Sequence, residues 1–180
     1  MRLFFALIPS EGMIAAVRPL LSGVSSARWQ TERQLHVTLR FVGEVSAQTA
    51  DDLLCAMEHR IEDVPSGASL SGIGVFEHDR RPNALWVRVT PKEPLLGLHR
   101  KLDRMCQAAG LPPEGRTYLP HMTVARLPRR AGSITAWLET HAGFATERLP
   151  FARCSLMESI MTPDGSHYKE LAGMALCHAD

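Results

Sequence analysis

The 180-residue chain has the composition of an ordinary globular protein, with 45% hydrophobic, 22% charged and 6% aromatic residues. This apolar content excludes an intrinsically disordered chain, and the apolar runs fall far short of the ~20 residues of a transmembrane helix. The net charge of +1 argues against a protein that coats long nucleic acid, which is usually strongly basic. It leaves room for a short polyanionic ligand held by a local cluster of charges.

The N-terminal third alternates between strand and helix patterns. The apolar run Arg2–Ile8 is too short for a signal peptide and predicts a buried strand. An amphipathic helix follows over Ser10–Leu21, capped by Ser10, and Pro19 is expected to kink or end it. Leu35–Val42 alternates and predicts a second strand. Ser46 caps the next helix, whose apolar stripe is Leu53, Leu54, Met57 and Ile61.

A hairpin and a long helix are predicted in the middle of the chain. Two strands, about Ala68–Glu77 and Ala84–Thr90, flank the charged turn His78–Asn83. Apolar residues then recur at helical spacing over Leu95–Ala109, and Gly110 stands where a C-terminal cap is expected.

The last third repeats the order of strand, helix and hairpin. Its predicted parts are the loop Leu111–Pro120, the strand His121–Leu127, a short helix from Ser133, and strands Leu149–Met161 and His167–Leu176 around the turn Pro163–Gly165. The strands at His36 and His121 are each followed by a helix and a hairpin, a weak duplication with a spacing of about 85 residues. This order predicts an α+β fold and disfavours a doubly wound parallel sheet.

Two tetrapeptides on predicted strands share the pattern His-x-Thr-aliphatic: His36–Leu39 and His121–Val124. Strand alternation places His and Thr of each unit on the same face. For eight histidines in a chain of this composition, chance gives roughly 0.1 such units. Two copies at matching places of a duplication therefore indicate a function.

A pair of histidines beside a pair of threonines suits phosphorus chemistry. One imidazole removes a proton from the incoming oxygen, and the other protonates the leaving oxygen. Threonine hydroxyls donate hydrogen bonds to the non-bridging oxygens. The competing interpretation is a zinc or copper site, but neither motif has a carboxylate or cysteine at ligand spacing.

The four cysteines, Cys55, Cys106, Cys154 and Cys177, lie far apart in the sequence. They lack the Cys-x-x-Cys spacing of a zinc or redox site. We expect four free thiols in a reducing cytoplasm.

The motifs and their surroundings resemble the 2H phosphoesterase superfamily, and within it the RNA 2′,3′-cyclic phosphodiesterases, also called 2′-5′ RNA ligases. The resemblance covers almost the whole chain. It is carried by Trp29 and the segments Met1–Leu7, Leu35–Glu44, Leu85–Val87, Pro120–Arg126 and Thr162–Tyr168. It implies that residues 1–180 form one domain of two pseudo-symmetric lobes, built of antiparallel sheet and helices around a central cleft.

The resemblance also implies hydrolysis of RNA-type 2′,3′-cyclic phosphate ends to 2′-phosphomonoesters, with no metal or other cofactor. It assigns His36 as the general acid for the 3′ oxygen and His121 as the base for water. Thr38 and Thr123 are implied to bind the phosphate. We expect a monomer whose partner is RNA or a nucleotide with a 2′,3′-cyclic phosphate, and which does not associate with membranes.

Two further site residues come from the resemblance alone. Arg126 matches a phosphate-binding arginine, and Phe41 matches an aromatic residue that flanks the nucleotide. Strict alternation points both side chains away from the His/Thr face. The resemblance therefore requires a β-bulge or a strand end before each of them.

Two other functions remain open at this point. An RNA ligase that joins 2′-5′ ends by the reverse reaction uses the same residues. A non-catalytic RNA- or nucleotide-binding module is disfavoured because both motifs are intact. The pairs Arg80–Arg81 and Arg129–Arg130 are either solvated loop charges or a rim that steers RNA. His59 and His99, on helices with charged neighbours, are predicted to lie on the surface.

Overall fold

The computed structural model describes residues 1–61, 63–162 and 165–176. The strands are β1 (Arg2–Pro9), β2 (Arg28–Trp29), β3 (Val37–Glu44), β4 (Gly67–His78), β5 (Arg81–Thr90), β6 (His121–Arg126), β7 (Leu149–Thr162) and β8 (Gly165–Ala175). The α-helices are α1 (Glu11–Val17), α2 (Ala47–Arg60), α3 (Lys92–Ala108) and α4 (Thr135–His141). Two short 3-10 helices cover Arg18–Leu20 and Glu32–Gln34.

The predicted order of elements is confirmed, and the local signals act as expected. The Ser10 and Ser46 hydroxyls accept hydrogen bonds from the backbone N–H groups three residues later, which caps α1 and α2. At Pro19 the first helix tightens into a 3-10 turn. Gly110 takes a φ of +84° after α3, a conformation that favours glycine.

Some boundaries differ from the prediction. The turn between β4 and β5 is tighter than His78–Asn83, because Asp79 and Arg80 adopt positive φ and β5 already begins at Arg81. The short strand β2 was not predicted; it pairs with β6. Pro163 and Asp164, predicted to turn between the last strands, lie outside the described residues.

The strands form an antiparallel sheet in the order β1-β3-β6-β5-β4-β7-β8, with β2 added beside β6. Strand β7 also pairs with β1, so the sheet has two halves: β3-β1-β7-β8 and β6-β5-β4. The halves meet where β3 pairs with β6 and where β4 pairs with the start of β7. The α+β class with two similar lobes is confirmed.

The main hydrophobic core lies between the helices and one face of the sheet. It contains apolar residues of all four helices together with Leu3, Phe5, Leu7, Val37 and Met122 of the strands. On the opposite face of β1, Phe4 and Ala6 form a smaller cluster with Met157. Because both faces of β1 are covered by protein, Leu3–Leu7 is continuously buried.

His99 corrects a prediction. Its side chain is not on the surface but 8% exposed, and its Nδ1 lies 2.7 Å from the Leu39 carbonyl oxygen of β3. The residue belongs to the buried stripe of α3 with Leu95, Leu98 and Leu102. His59 is exposed, as predicted.

The three described cysteines, Cys55, Cys106 and Cys154, are free thiols. The fourth, Cys177, lies outside the described residues. Among the described residues, no helix combines the length and the apolar character needed to cross a bilayer.

Candidate active site

The two His-x-Thr units meet where the two halves of the sheet join. Val37 of β3 pairs antiparallel with Met122 of β6, and both side chains point into the core. In this register His36 lies opposite Thr123, and Thr38 lies opposite His121. The duplicated motifs are therefore cross-strand neighbours related by a local two-fold about the Val37–Met122 pair.

A β-bulge follows the threonine in each motif. In the pairing of β1 with β3, Ala6 lies opposite Thr38 and Phe5 lies opposite Arg40, so Leu39 is the extra residue. In the pairing of β5 with β6, the register likewise skips Val124 between Thr123 and Ala125.

The bulges determine on which face of the sheet Phe41 and Arg126 lie. An extra residue reverses the alternation after it, so the residue five positions after each histidine joins the His/Thr face. Both Phe41 and Arg126 line the same cleft as Thr38 and Thr123. The bulge that the resemblance required is present in both strands, and the extra residue is the aliphatic position of each motif.

Both imidazoles are oriented by the backbone. His36 Nδ1 lies 2.7 Å from the Gln34 carbonyl oxygen, and His121 Nδ1 lies 2.7 Å from the Leu119 carbonyl oxygen. A carbonyl oxygen only accepts, so each Nδ1 carries the hydrogen and donates it. Each Nε2 is then the nitrogen available for proton transfer.

Different aromatic residues flank the two histidines. The ring centroid of His36 lies 5.0 Å from that of Phe4 and 5.1 Å from that of Tyr168. His121 has Phe76 at 4.8 Å and Trp86 at 5.9 Å. Trp86 is a buried core residue that also contacts the site.

Gly74 makes room for the Trp86 ring, because a Cβ at this position would collide with the indole. Trp86 stacks on Phe76, with ring centroids 5.1 Å apart. The packing that fixes one side of His121 therefore depends on a strand glycine.

The surroundings disfavour the protonated form of both histidines in the free protein. Loss of water around the ring is the largest cause that lowers the pKa of His36, and the positive charges of His121 and Arg126 add to it. The hydrogen bond to Gln34 opposes them, and the pKa falls to about 4. The pKa of His121 is also lowered, mainly by the same loss of water and further by Arg126.

A cleft of about 820 Å³ lies over these residues. It is lined by Thr38, Phe41, His121, Thr123 and Arg126. His36, held between Phe4 and Tyr168, lies close enough to His121 and Arg126 for their charges to affect its pKa. The structure thus places five of the six residues that the motifs and the resemblance singled out in the lining of one cleft, and the sixth, His36, beside it.

Sequence reasoning missed Arg2, which also lines the cleft. Its guanidinium carbon lies 5.0 Å from the centroid of the Phe41 ring, in a cation–π contact. The signal was its place at the start of a strand adjacent to the first motif strand, but the pairing of β1 with β3 is known only from the fold.

A buried ionic network beneath one wall of the cleft was also missed. Arg40, 6% exposed, pairs with Asp103 of α3 at 2.7 Å and with Glu114 of the following loop at 3.6 Å. These contacts hold the loop that leads to Leu119, whose carbonyl orients His121. In the same wall, Tyr118 stacks on His99 with ring centroids 4.4 Å apart.

No group of three or more His, Cys, Asp or Glu side chains within the described ranges is arranged to hold a metal ion. The site therefore offers two Nε2 atoms, two threonine hydroxyls and the Arg126 guanidinium. This set can accept and donate protons and bind an anion.

Curated relatives match the chain over most of its length. An RNA 2′,3′-cyclic phosphodiesterase from Archaeoglobus fulgidus is 28% identical over 177 residues, which cover 95% of this chain and 98% of the relative. An enzyme of the same name from Thermotoga maritima is 26% identical over 156 residues, 86% of this chain and 82% of the relative.

Solved structures show the same fold. A crystal structure from Thermus thermophilus superposes with a TM-score of 0.77 at 26% identity and covers 98% of both chains. E. coli LigT complexed with 3′-AMP gives a TM-score of 0.67 at 22% identity, again with 98% of both chains covered.

The family model described as the 2′-5′ RNA ligase superfamily matches residues 9–159, a range that includes both histidine motifs, both bulges and Arg126. The chain belongs to the 2′-5′ RNA ligase superfamily.

Proposed function

We propose that this protein hydrolyses RNA-type 2′,3′-cyclic phosphate ends to 2′-phosphomonoesters by metal-independent acid/base catalysis, with His36 and His121 as the catalytic pair. One observation carries the proposal: the register of β3 and β6 sets two His-x-Thr units against each other, each histidine with a free Nε2. The names of the curated relatives support the same substrate class.

The reaction needs two proton transfers and no redox change. The oxygen of a water molecule forms a bond to phosphorus while one Nε2 takes its proton. The bond from phosphorus to the 3′ oxygen breaks, and the other Nε2–H protonates that oxygen. The product keeps the phosphate on the 2′ oxygen and has a free 3′-hydroxyl. The histidine that took a proton then loses it to solvent, and the histidine that gave one regains it.

The other four residues have binding roles in this proposal. Thr38 and Thr123 donate hydrogen bonds to the non-bridging phosphate oxygens, and Arg126 compensates their developing charge. Phe41 flanks the terminal nucleotide. Their support is the cleft that all four line with His121.

The two histidines have different roles in this reaction. The resemblance assigns His36 as acid and His121 as base, and we retain that order. In the free protein His36 has the low pKa of about 4, which favours the neutral, basic form. A cyclic phosphate anion bound beside the ring stabilises the imidazolium and raises this pKa, so the order requires bound substrate.

Ligation of 2′-5′ ends reverses the cleavage of a 2′-5′ phosphodiester and needs no other residue: the 5′-hydroxyl of a second RNA replaces water, its oxygen bonds to phosphorus, and the bond from phosphorus to the 3′ oxygen breaks. Water at about 55 M competes with a dilute 5′-hydroxyl for the same cyclic phosphate and favours hydrolysis. We therefore propose hydrolysis as the main activity. The family description is the observation that keeps ligation as a second candidate.

We further propose that residues 1–180 act as one bilobal domain, because the sheet and the main core run through both halves. The free thiols of the three described cysteines support a reducing, cytoplasmic setting. The nucleotide complex of the LigT fold supports RNA or a nucleotide as the partner. A monomer remains our expectation.

The test is hydrolysis of an oligoribonucleotide with a 2′,3′-cyclic phosphate end in the presence of excess EDTA. We expect full activity and a product with only a 2′-phosphate. A preparation of His36→Ala/His121→Ala, purified in the same way, controls for contaminating ribonuclease. Loss of activity in EDTA that one divalent metal restores would contradict the metal-free mechanism, and a 3′-phosphate product would contradict the proposed bond cleavage.

A further inference from the structure

A second groove, of about 510 Å³, adjoins the cleft. It lies between the turn that joins β4 to β5 and the segment that follows β6. His78 and Asn83 line both the groove and the cleft, so the two cavities share a border. The mechanism above uses none of the residues that line the groove.

Positive charge and apolar surface are combined in this groove. Of the two arginine pairs noted in the sequence, it is Arg81 and Arg129 that line it, and both are exposed. One carboxylate, that of Asp79, also lines it and pairs with His78 at 3.6 Å. The apolar part of the lining includes Pro82, Leu127, Pro128 and Ile134.

The border between the two cavities carries a hydrogen-bond acceptor without a partner. Asn83 Oδ1 is buried and has no partner among the described residues. The backbone of Asn83 is fixed, because its carbonyl accepts a hydrogen bond from Leu127 N–H at 2.9 Å. A buried acceptor in this position favours a ligand that brings an N–H or O–H group.

The chemistry of the substrate determines which part of the RNA lies across this border. The cyclic phosphate closes the 3′ end of the RNA, so the chain continues from the 5′ oxygen of the terminal nucleotide. Arg126, at the reacting phosphate, pairs across the sheet with Ala84, the neighbour of Asn83. The groove therefore begins next to the phosphate site and is open to the next nucleotide.

We propose that this groove binds the penultimate nucleotide of single-stranded RNA. Arg81 and Arg129 bind the phosphodiester that joins it to the terminal nucleotide, and the proline and isoleucine surfaces pack against its base or ribose. Asn83 Oδ1 accepts a hydrogen bond from a ribose hydroxyl or a base N–H. This inference rests on the proposed function and adds to it a preference for chains over mononucleotides.

The test compares two substrates with the full-length protein. One is adenosine 2′,3′-cyclic phosphate, and the other is the dinucleotide ApA with a 2′,3′-cyclic phosphate end. We expect a kcat/KM about tenfold higher for the dinucleotide, the gain of one charged hydrogen-bonding contact. Arg81→Ala/Arg129→Ala should bring the ratio close to one and leave hydrolysis of the mononucleotide unchanged. Arg104→Ala, an exposed arginine that lines neither cavity, is the matched control.

A third substrate separates charge from base packing. An ApA analogue with a neutral methylphosphonate between the nucleosides should lose most of the advantage in the wild-type protein. Equal kcat/KM for mononucleotide and dinucleotide in the wild type would overturn the subsite and leave the proposed function intact. An unchanged ratio in the double arginine variant would also overturn it. Failure to hydrolyse either substrate would instead contradict the proposed function.

Discussion

The backbone has the same geometry around His36 and around His121, but the side chains that surround the two histidines differ. Both rings donate from Nδ1 to the carbonyl two residues earlier, and both motifs end in a bulge at the aliphatic position. Five residues after the histidine, however, one half has Phe41 and the other has Arg126. In the proposed mechanism the duplicated backbone positions the two proton-transfer groups, and the two divergent positions separate nucleotide contact from charge compensation.

The largest expected effect comes from removing either half of the histidine pair. His36→Ala and His121→Ala should each lower kcat by about 10²- to 10⁴-fold, the usual contribution of a general acid or base. The losses should not add in the double variant, because the two groups act as one unit.

Steady-state kinetics of the three variants, with circular dichroism to check the fold, tests this expectation. His59→Ala is the matched control, since His59 also lies with Nδ1 near a backbone carbonyl but is exposed on α2. Near wild-type rates in either single variant would make that histidine structural and end the pair hypothesis.

Substitution of the two threonines should have smaller effects on kcat/KM, and these should be similar for both residues. Thr38→Val and Thr123→Val keep the shape of the side chain and remove one hydroxyl donor to the anion, worth about 1.5–3 kcal/mol. We expect kcat/KM to fall about 10- to 100-fold in each. A loss confined to one of the two would show that the phosphate is bound by one half of the site only.

Substitutions of Phe41 and Arg126 should affect different kinetic parameters, whereas the two threonine variants should behave alike. Arg126→Gln removes a charge that acts on the phosphoryl oxygens, so kcat should fall about tenfold. Phe41→Ala removes a nucleotide contact and should raise KM several-fold, about 1 kcal/mol, with kcat little changed. The reverse pattern, with kcat falling for Phe41→Ala and only KM rising for Arg126→Gln, would contradict the division of roles.

Arg126→Gln should also change the pKa values of the two histidines. The positive charge of Arg126 lowers the pKa of both histidines, so its loss should raise both. NMR titration of the two imidazoles in the free variant measures this directly. Unchanged or lowered values would show that Arg126 lies too far from the rings to act on the site.

The two histidines and two threonines of the candidate site stand out in the sequence, but the placement of Phe41 and Arg126 beside them could not be predicted from it. Alternation puts His and Thr on one face, and the duplicated order of elements predicted two matching strands. Alternation alone also points Phe41 and Arg126 the wrong way. The bulges at Leu39 and Val124 correct this, and a bulge depends on pairing with a second strand that no local pattern reveals.

His99 and Arg40 show why the surroundings were harder to predict. His99 lies on the apolar stripe of α3, so its spacing is consistent with burial. A histidine with charged neighbours, however, is more often exposed, which led to the wrong prediction. The acceptor that makes burial tolerable, the Leu39 carbonyl, is 60 residues away in the sequence. The partners of Arg40 on α3 and the next loop are similarly distant. Contacts of this range follow from the fold and not from local patterns.

The pH dependence of kcat/KM, measured from about pH 3 to about pH 9, tests the central claim most directly. One histidine must carry a proton and the other must not, so we expect a bell whose two limbs belong to the pair. Both pKa values are lowered in the free protein, so the alkaline limb, where the acid loses its proton, should lie below pH 6.5. With His36 as the acid, His121→Ala should lose the acidic limb and keep the alkaline one; loss of the alkaline limb instead would exchange the two roles. A wild-type profile that rises steadily with pH would indicate attack by hydroxide without a histidine acid, and would contradict the two-histidine mechanism.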